Sequence, residues 1–181
     1  MRTANDKIEV SADDWSRLLH RVERLEDERA ISDVLHQYCV LNDHGFPDEW
    51  LDLFTPDAVF ESQGPSGVVG QLLRRGGEAT DKGVRFTGHA MLARFMVGGA
   101  RDGITSEAKH YTVRPSIAVD GDEARSTSYF LAVAYKDGDY LTYGIGRFVD
   151  LLVRCSDGRW RFKERIVRAA GRAEPPSPAL L

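Results

Sequence analysis

AKHYTVRPSIAV (108–119), DEARSTSYFLAVAYK (122–136), DYLTYGIGRFVDLLVR (139–154) and RWRFKERIVRA (159–169) are four runs rich in β-branched and aromatic residues. Asp120-Gly121, Asp137-Gly138-Asp139 and Asp157-Gly158 separate them. Asp-Gly between apolar runs marks a tight hairpin, so the spacing predicts an antiparallel meander of four strands. Working outward, the chain before residue 108 has a helical period. Leu18, Val22 and Leu25 form one apolar row, and Ile31, Val34, Leu35, Tyr38, Leu41 and Asn42 form a second. Ser11 followed by Asp13 and Asp14 supplies a side-chain cap and acids at the positive end of the dipole, and Gly45 with Pro47 ends the region. The charged run 23–29 between the rows predicts either a bend or two helices in series.

Pro47 suits a first helical position, and Trp50, Leu51, Leu53 and Phe54 make a short apolar helix stopped by Thr55-Pro56-Asp57. Ala58 to Glu61 reads as a short strand, and Gly88 to Gly98 as a second short helix. Residues 62–86, rich in glycine, break every period and predict a long loop. Helices first and a sheet afterwards define an α+β domain, a cone-shaped barrel in which N-terminal helices pack on a curved, mainly antiparallel sheet. Its expected bounds are 12–170, with a flexible N-terminus at 1–11 and a disordered, proline-containing tail at 171–181.

The composition narrows the function. With 181 residues, 42% apolar and 29% charged, the chain is one domain of ordinary size. No apolar run is long enough to span a membrane or serve as a secretory signal, so a cytoplasmic location and no membrane partner are expected. The net charge of −4 argues against nucleic acid, whose grip depends on neutralising phosphates. Cys39 and Cys155 have no metal-ligand spacing and read as reduced thiols, Cys39 in the core. None of the histidines, including His20, His36, His44 and His89, has a partner at the spacing of a helical zinc site, and no glycine-rich stretch matches a nucleotide fingerprint; neither metal nor cofactor is expected.

Tyr38 and Asp43 near the end of the long helical region, the segment Leu53-Phe54-Thr55-Pro56-Asp57-Ala58-Val59-Phe60, and the phrase Ile117-Ala118-Val119-Asp120-Gly121-Asp122-Glu123-Ala124 stand in a telling order. Together with Gly146-Arg147-Phe148 and Trp160-Arg161-Phe162-Lys163-Glu164-Arg165, they resemble the nuclear-transport-factor-2-like superfamily and its cystatin-like fold, closest to the SnoaL-like branch, over residues 24–169. The resemblance implies an Asp at the end of the first helix and a His at the start of the sheet, as in scytalone-dehydratase-like, bile-acid-dehydratase-like and dehydrochlorinase-like enzymes. Asp43 and His110 are the matching positions, and Tyr38 stands five residues before the Asp as in the bile-acid dehydratases. It also implies a homodimer or homotrimer, with Phe130, Ala132, Phe148 and Leu152 on the associating face. A late-strand Arg used by some members has no single counterpart.

An imidazole moves protons at neutral pH, and a carboxylate on one ring nitrogen fixes the tautomer and strengthens the other nitrogen as a base. The expected catalytic set is therefore His110 as base, Asp43 orienting it, and Tyr38 as hydrogen-bond donor. On a helical wheel Tyr38 lies near the centre of the apolar stripe that begins at Ile31, whereas Asp43 lies on its flank, where it also reads as an ordinary helix C-terminus. If Asp120-Gly121 is a two-residue turn, His110 faces Leu131 and Thr112 faces Tyr129; equally tight later turns bring Tyr129 to Arg147 and Arg147 to Arg168. The expected substrate contacts are Trp50, Phe54, Phe60, His89, Tyr129, Leu131, Arg147, Phe162 and Arg168. The function expected is a cofactor-independent dehydratase acting on a hydrophobic, cyclic, oxygenated small molecule. The alternatives are a ketosteroid-isomerase-like isomerase or polyketide cyclase, and a non-catalytic binding protein similar to dioxygenase small subunits.

Overall fold

A computed structural model describes residues 11–101, 108–136 and 138–170. The expectations for residues 1–10 and 171–181 lie outside them. The elements run α1 (Ala12–His44), α2 (Pro47–Leu51), β1 (Phe54–Gln63), α3 (Ser66–Arg74), β2 (Glu78–Ala79), β3 (Val84–Thr87), α4 (Gly88–Arg101), β4 (Ala108–Thr112), β5 (Ser116–Asp120), β6 (Glu123–Lys136), β7 (Asp139–Arg154) and β8 (Trp160–Ala169). The helices pack on one open, mixed sheet of eight strands, ordered β2-β3-β1-β8-β7-β6-β4, with β5 also on β6. All pairings are antiparallel except β1 with β8. The α+β class expected from the sequence is the class found.

α1 is one continuous helix of 33 residues, not divided into two at its charged middle. The charges support the helix: Arg24 pairs with Glu28 and Arg29 with Asp33, each one turn apart. Ser11 caps the N-terminus by accepting the Asp14 N–H. At the other end Gly45 takes a left-handed conformation, φ +73°, and its N–H closes on Leu41 O. The inner face of the helix brings Ile31, Leu35, Tyr38 and Cys39 into a core shared with Trp50, Phe54, Phe60, Leu92, Met96, Phe148, Leu152 and Phe162.

Three regions differ from the sequence expectation. The stretch 62–86 is not one loop: it carries the end of β1, helix α3 and strands β2 and β3. Its glycines serve packing, and at Gly83 a Cβ would stand 2.0 Å from Ser62 O, so only glycine lets β3 approach β1 there. β1 is longer than Ala58–Glu61 and parallel to β8. The run 108–119 is two strands, broken at Val113–Pro115 where proline has no N–H to donate.

That break reverses a facing. β5 pairs β6 with Asp120 opposite Glu123, a shift of two residues from the expected register, which preserves the side each residue faces. Across the break the β4 register is shifted by one residue instead of two, so His110 pairs with Ala132 rather than Leu131, and Thr112 with Phe130 rather than Tyr129. Tyr129 opposite Arg147 and Arg147 opposite Arg168 are as expected. His110 therefore shares the helix-covered face with Phe130, Ala132 and Phe148, which with Leu152 are buried rather than available for association. Tyr129, 62% exposed, and Leu131 lie on the outer face with Arg147 and Arg168.

Candidate active site

The last turn of α1 and strand β4 bring Asp43 and His110 together. Asp43 is only 7% exposed, deeper than its flank position on the helical wheel implies, because β4 packs across the end of the helix. Its two carboxylate oxygens are taken by a single residue: His110 Nδ1 lies 2.5 Å from Oδ1, and the His110 backbone N–H donates to Oδ2 at 2.7 Å. Ring and main chain are thus clamped by one carboxylate, which assigns the proton to Nδ1 and leaves the Nε2 lone pair as the basic site. The Lys109 ammonium donates to Asp43 O at 3.0 Å, and the Asn42 amide nitrogen stands 3.5 Å from His110 Nδ1.

His110 opens on a cavity of about 150 Å³. Each long strand contributes to its floor: Phe130 from β6, Phe148 from β7, Val167 from β8, and Phe60 and Ser62 from β1. Tyr38 and Asn42 line it from α1; Val68, Gln71, Leu72 and Arg75 from α3 and its end; Phe95 from α4. Mostly apolar walls with a few polar groups suit a small organic ligand. The Arg75 guanidinium lies 5.7 Å from the centre of the Phe95 ring. Among the described residues, no group of three His, Cys, Asp or Glu side chains converges to hold a metal ion.

Tyr38 is the hub of the core behind this cavity. Its ring centre lies 5.5 Å from Trp50, 6.2 Å from Phe54, 5.7 Å from Phe148 and 5.9 Å from Phe162. The Arg165 guanidinium, fully buried, covers the Tyr38 ring at 3.8 Å and that of Phe148 at 3.9 Å. Burial raises the Tyr38 phenol far above its ordinary range, against the pull of Arg165, so it stays a protonated donor. Burial also pushes the Asp150 carboxyl up to about 6, although Arg165 Nε is 3.5 Å away.

Of the residues expected to touch substrate, only Phe60 lines the cavity with the expected catalytic residues Tyr38 and His110. Trp50, Phe54 and Phe162 are core residues that wall in the Tyr38 ring. His89 Nε2 lies 3.1 Å from Phe54 O and ties the start of α4 to β1. Tyr129, Leu131, Arg147 and Arg168 are on the far side of the sheet for the register reason given above. Asn42, Ser62, Gln71, Arg75, Phe95, Phe130 and Phe148 are lining residues that sequence reasoning missed. The apolar spacing of Val68, Val69, Leu72 and Leu73 was the available signal for α3.

These elements define a class of protein, the NTF2-like domain with a cystatin-like fold. Residues 23–166 match the SnoaL-like domain family, and the chain belongs to it. An NTF2-like protein of Novosphingobium aromaticivorans with a cystatin-like fold is 19% identical, over 94% of this chain and 96% of that one, at a TM-score of 0.72. A protein of the same organism provisionally named scytalone dehydratase is 24% identical, over 83% and 97%, at 0.59. The beta subunit of a provisionally assigned aromatic-ring-hydroxylating dioxygenase, also from that organism, is 20% identical, over 84% and 94%, at 0.62. No protein of curated function matches the sequence. No helix among the described residues is long and apolar enough to cross a membrane.

Proposed function

We propose that this protein is a lyase of the dehydratase type, with His110 as general base, Asp43 as the residue that orients it and Tyr38 as a hydrogen-bond donor. The observation that carries this reading is the double engagement of Asp43 by His110, at the mouth of a ring-lined cavity. In the reaction, His110 Nε2 takes a proton from the carbon next to a carbonyl, and the electron pair moves onto the carbonyl oxygen. The resulting enolate accepts hydrogen bonds from the Tyr38 hydroxyl or the Asn42 amide. It then collapses to a double bond as the β-hydroxyl leaves, and that hydroxyl takes the proton from the imidazolium to depart as water. Asp43 stabilises the imidazolium while it exists. The substrate class is a small, cyclic, oxygenated compound, because the walls are mainly aromatic and the polar groups are amides, hydroxyls and one guanidinium.

The test is a screen of cyclic β-hydroxy carbonyl compounds, read by mass spectrometry for loss of one water. In the active case, His110→Ala and Asp43→Asn each lower kcat by about 10²–10⁴-fold with the fold retained by circular dichroism. Retained activity in His110→Ala removes the base from the mechanism. A product of unchanged mass identifies an isomerase or cyclase that uses the same proton transfer. The likeness to a dioxygenase beta subunit supports a second reading, a non-catalytic partner of a larger chain. Turnover by the purified chain alone counts against it.

A further inference from the structure

The helix that carries Tyr38 and Asp43 has a second apolar face. Trp15, Leu18, Val22 and Leu25 are between 42% and 56% exposed, with Leu19 beside them. At about 100° per residue, the centre of this stripe points roughly 120–180° away from Ile31, Leu35 and Tyr38, which face the core. α1 is continuous through its charged middle, and the described residues of its own domain leave the stripe exposed. We propose that the occupant is the same segment of a second copy, packed in a parallel two-stranded coiled coil.

The spacing of the stripe is that of a coiled-coil seam. Trp15 and Val22 repeat after seven residues, as do Leu18 and Leu25, giving two heptads with a and d positions filled. The charges select both the partner and its direction. Around the stripe, Asp14 pairs with Arg17, His20 with Glu23, Arg24 with Glu28 and Arg29 with Asp33. Arg21 and Glu26, at the g and e positions that flank the seam, make no ion pair within the chain among the described residues. In a parallel pair each Arg21 meets the partner's Glu26, twice by symmetry. In an antiparallel pair Arg21 would meet Arg21 of the other copy, and Asp14 would meet Glu28. Beyond Leu25 the face turns polar with the Arg29–Asp33 pair, which confines the seam to two heptads.

So short a seam gives weak association, with a dissociation constant on the order of 10–100 µM, because few side chains offset the cost of bringing two molecules together. Sedimentation velocity on the full chain over 1–500 µM tests it. The wild type should associate in that range, and Leu18→Glu should weaken association at least about tenfold with unchanged circular dichroism. Arg21→Glu and Glu26→Arg should each weaken it several-fold, and the double exchange should restore it. With Cys155 replaced by serine, Leu18→Cys should form an interchain disulfide far faster than Ser16→Cys on another face of the helix. Wild-type sedimentation as a monomer at 500 µM, association that ignores Leu18→Glu, or no recovery in the double exchange overturns the proposal.

Discussion

A single side chain decides what Asp43 is. By residue type alone, Asn42, Asp43 and Gly45 read as a helix running into a turn, and helical geometry leaves the carboxylate on the flank. The tertiary structure sets the His110 ring 2.5 Å from it. Behind the site, the buried Asp150–Arg165 pair has the same dependence on place. Among the described residues the Asp150 carboxylate and the Arg165 guanidinium meet only as an ion pair at 3.5 Å, and burial outweighs the lowering pull of Arg165 and Ser126, so the Asp150 carboxyl rises to about 6. In the folded chain Asp150 thus holds its proton more tightly than in the unfolded chain. Its contribution to stability is full below about pH 4 and is lost as pH rises through about 6. Removing the cation sharpens this dependence. Arg165→Met should cost about 3–5 kcal/mol at pH 8 and clearly less at pH 5, where the carboxyl is protonated. Adding Asp150→Leu should recover most of the loss and flatten the pH dependence. Urea unfolding at the two pH values checks both, and an equal cost at pH 5 and 8 would show that Asp150 does not titrate in that range.

At the scale of elements, α1, α2, α4 and the hairpin turns are legible in the sequence, α3 is not, and the registers are only partly so. Asp-Gly pairs locate turns because their backbone conformation is a local property. The facing of His110 depended on a one-residue offset at Val113–Pro115, and period-2 alternation turns such an offset into a complete exchange of faces. The same sensitivity puts Phe130 and Phe148, which face outward in the expected register, on the inner face. Residues 62–86 were unreadable for a different reason. Their glycines signal breaks in a sequence, whereas here they let chains approach, as Gly83 does against Ser62. Gly83→Ala should accordingly lower stability by about 1–3 kcal/mol through a displaced β1–β3 pairing. A denaturation midpoint unchanged from wild type would show that the strands shift at no cost.

For the whole molecule, the volume of the cavity bears on ligand size. About 150 Å³ suits a single ring better than a fused four-ring skeleton. Single-ring compounds such as phenol or cyclohexanone should raise the melting temperature, since a ligand at a hundred times its Kd adds about 2.7 kcal/mol to the folded state. Bulkier tetracyclic compounds should leave it unchanged, and a thermal-shift panel distinguishes the two. A larger shift with a steroid than with any single-ring compound would mean that the cavity opens on binding.

The sequence by itself determined the α+β class, the order of helices before sheet and the turns, while the pairing of Asp43 with His110 was implied only by the family resemblance. The first three follow from local periods and turn chemistry whose information lies within a few residues. Only the tertiary structure decided which face of the sheet meets the helices, which aromatic rings line the cavity and which merely hold Tyr38. It also showed that the two apolar rows of α1 look in opposite directions, one into the core and one outward. Each of those outcomes depends on a register or rotation accumulated over a long stretch of chain, and a shift of one residue is enough to invert it.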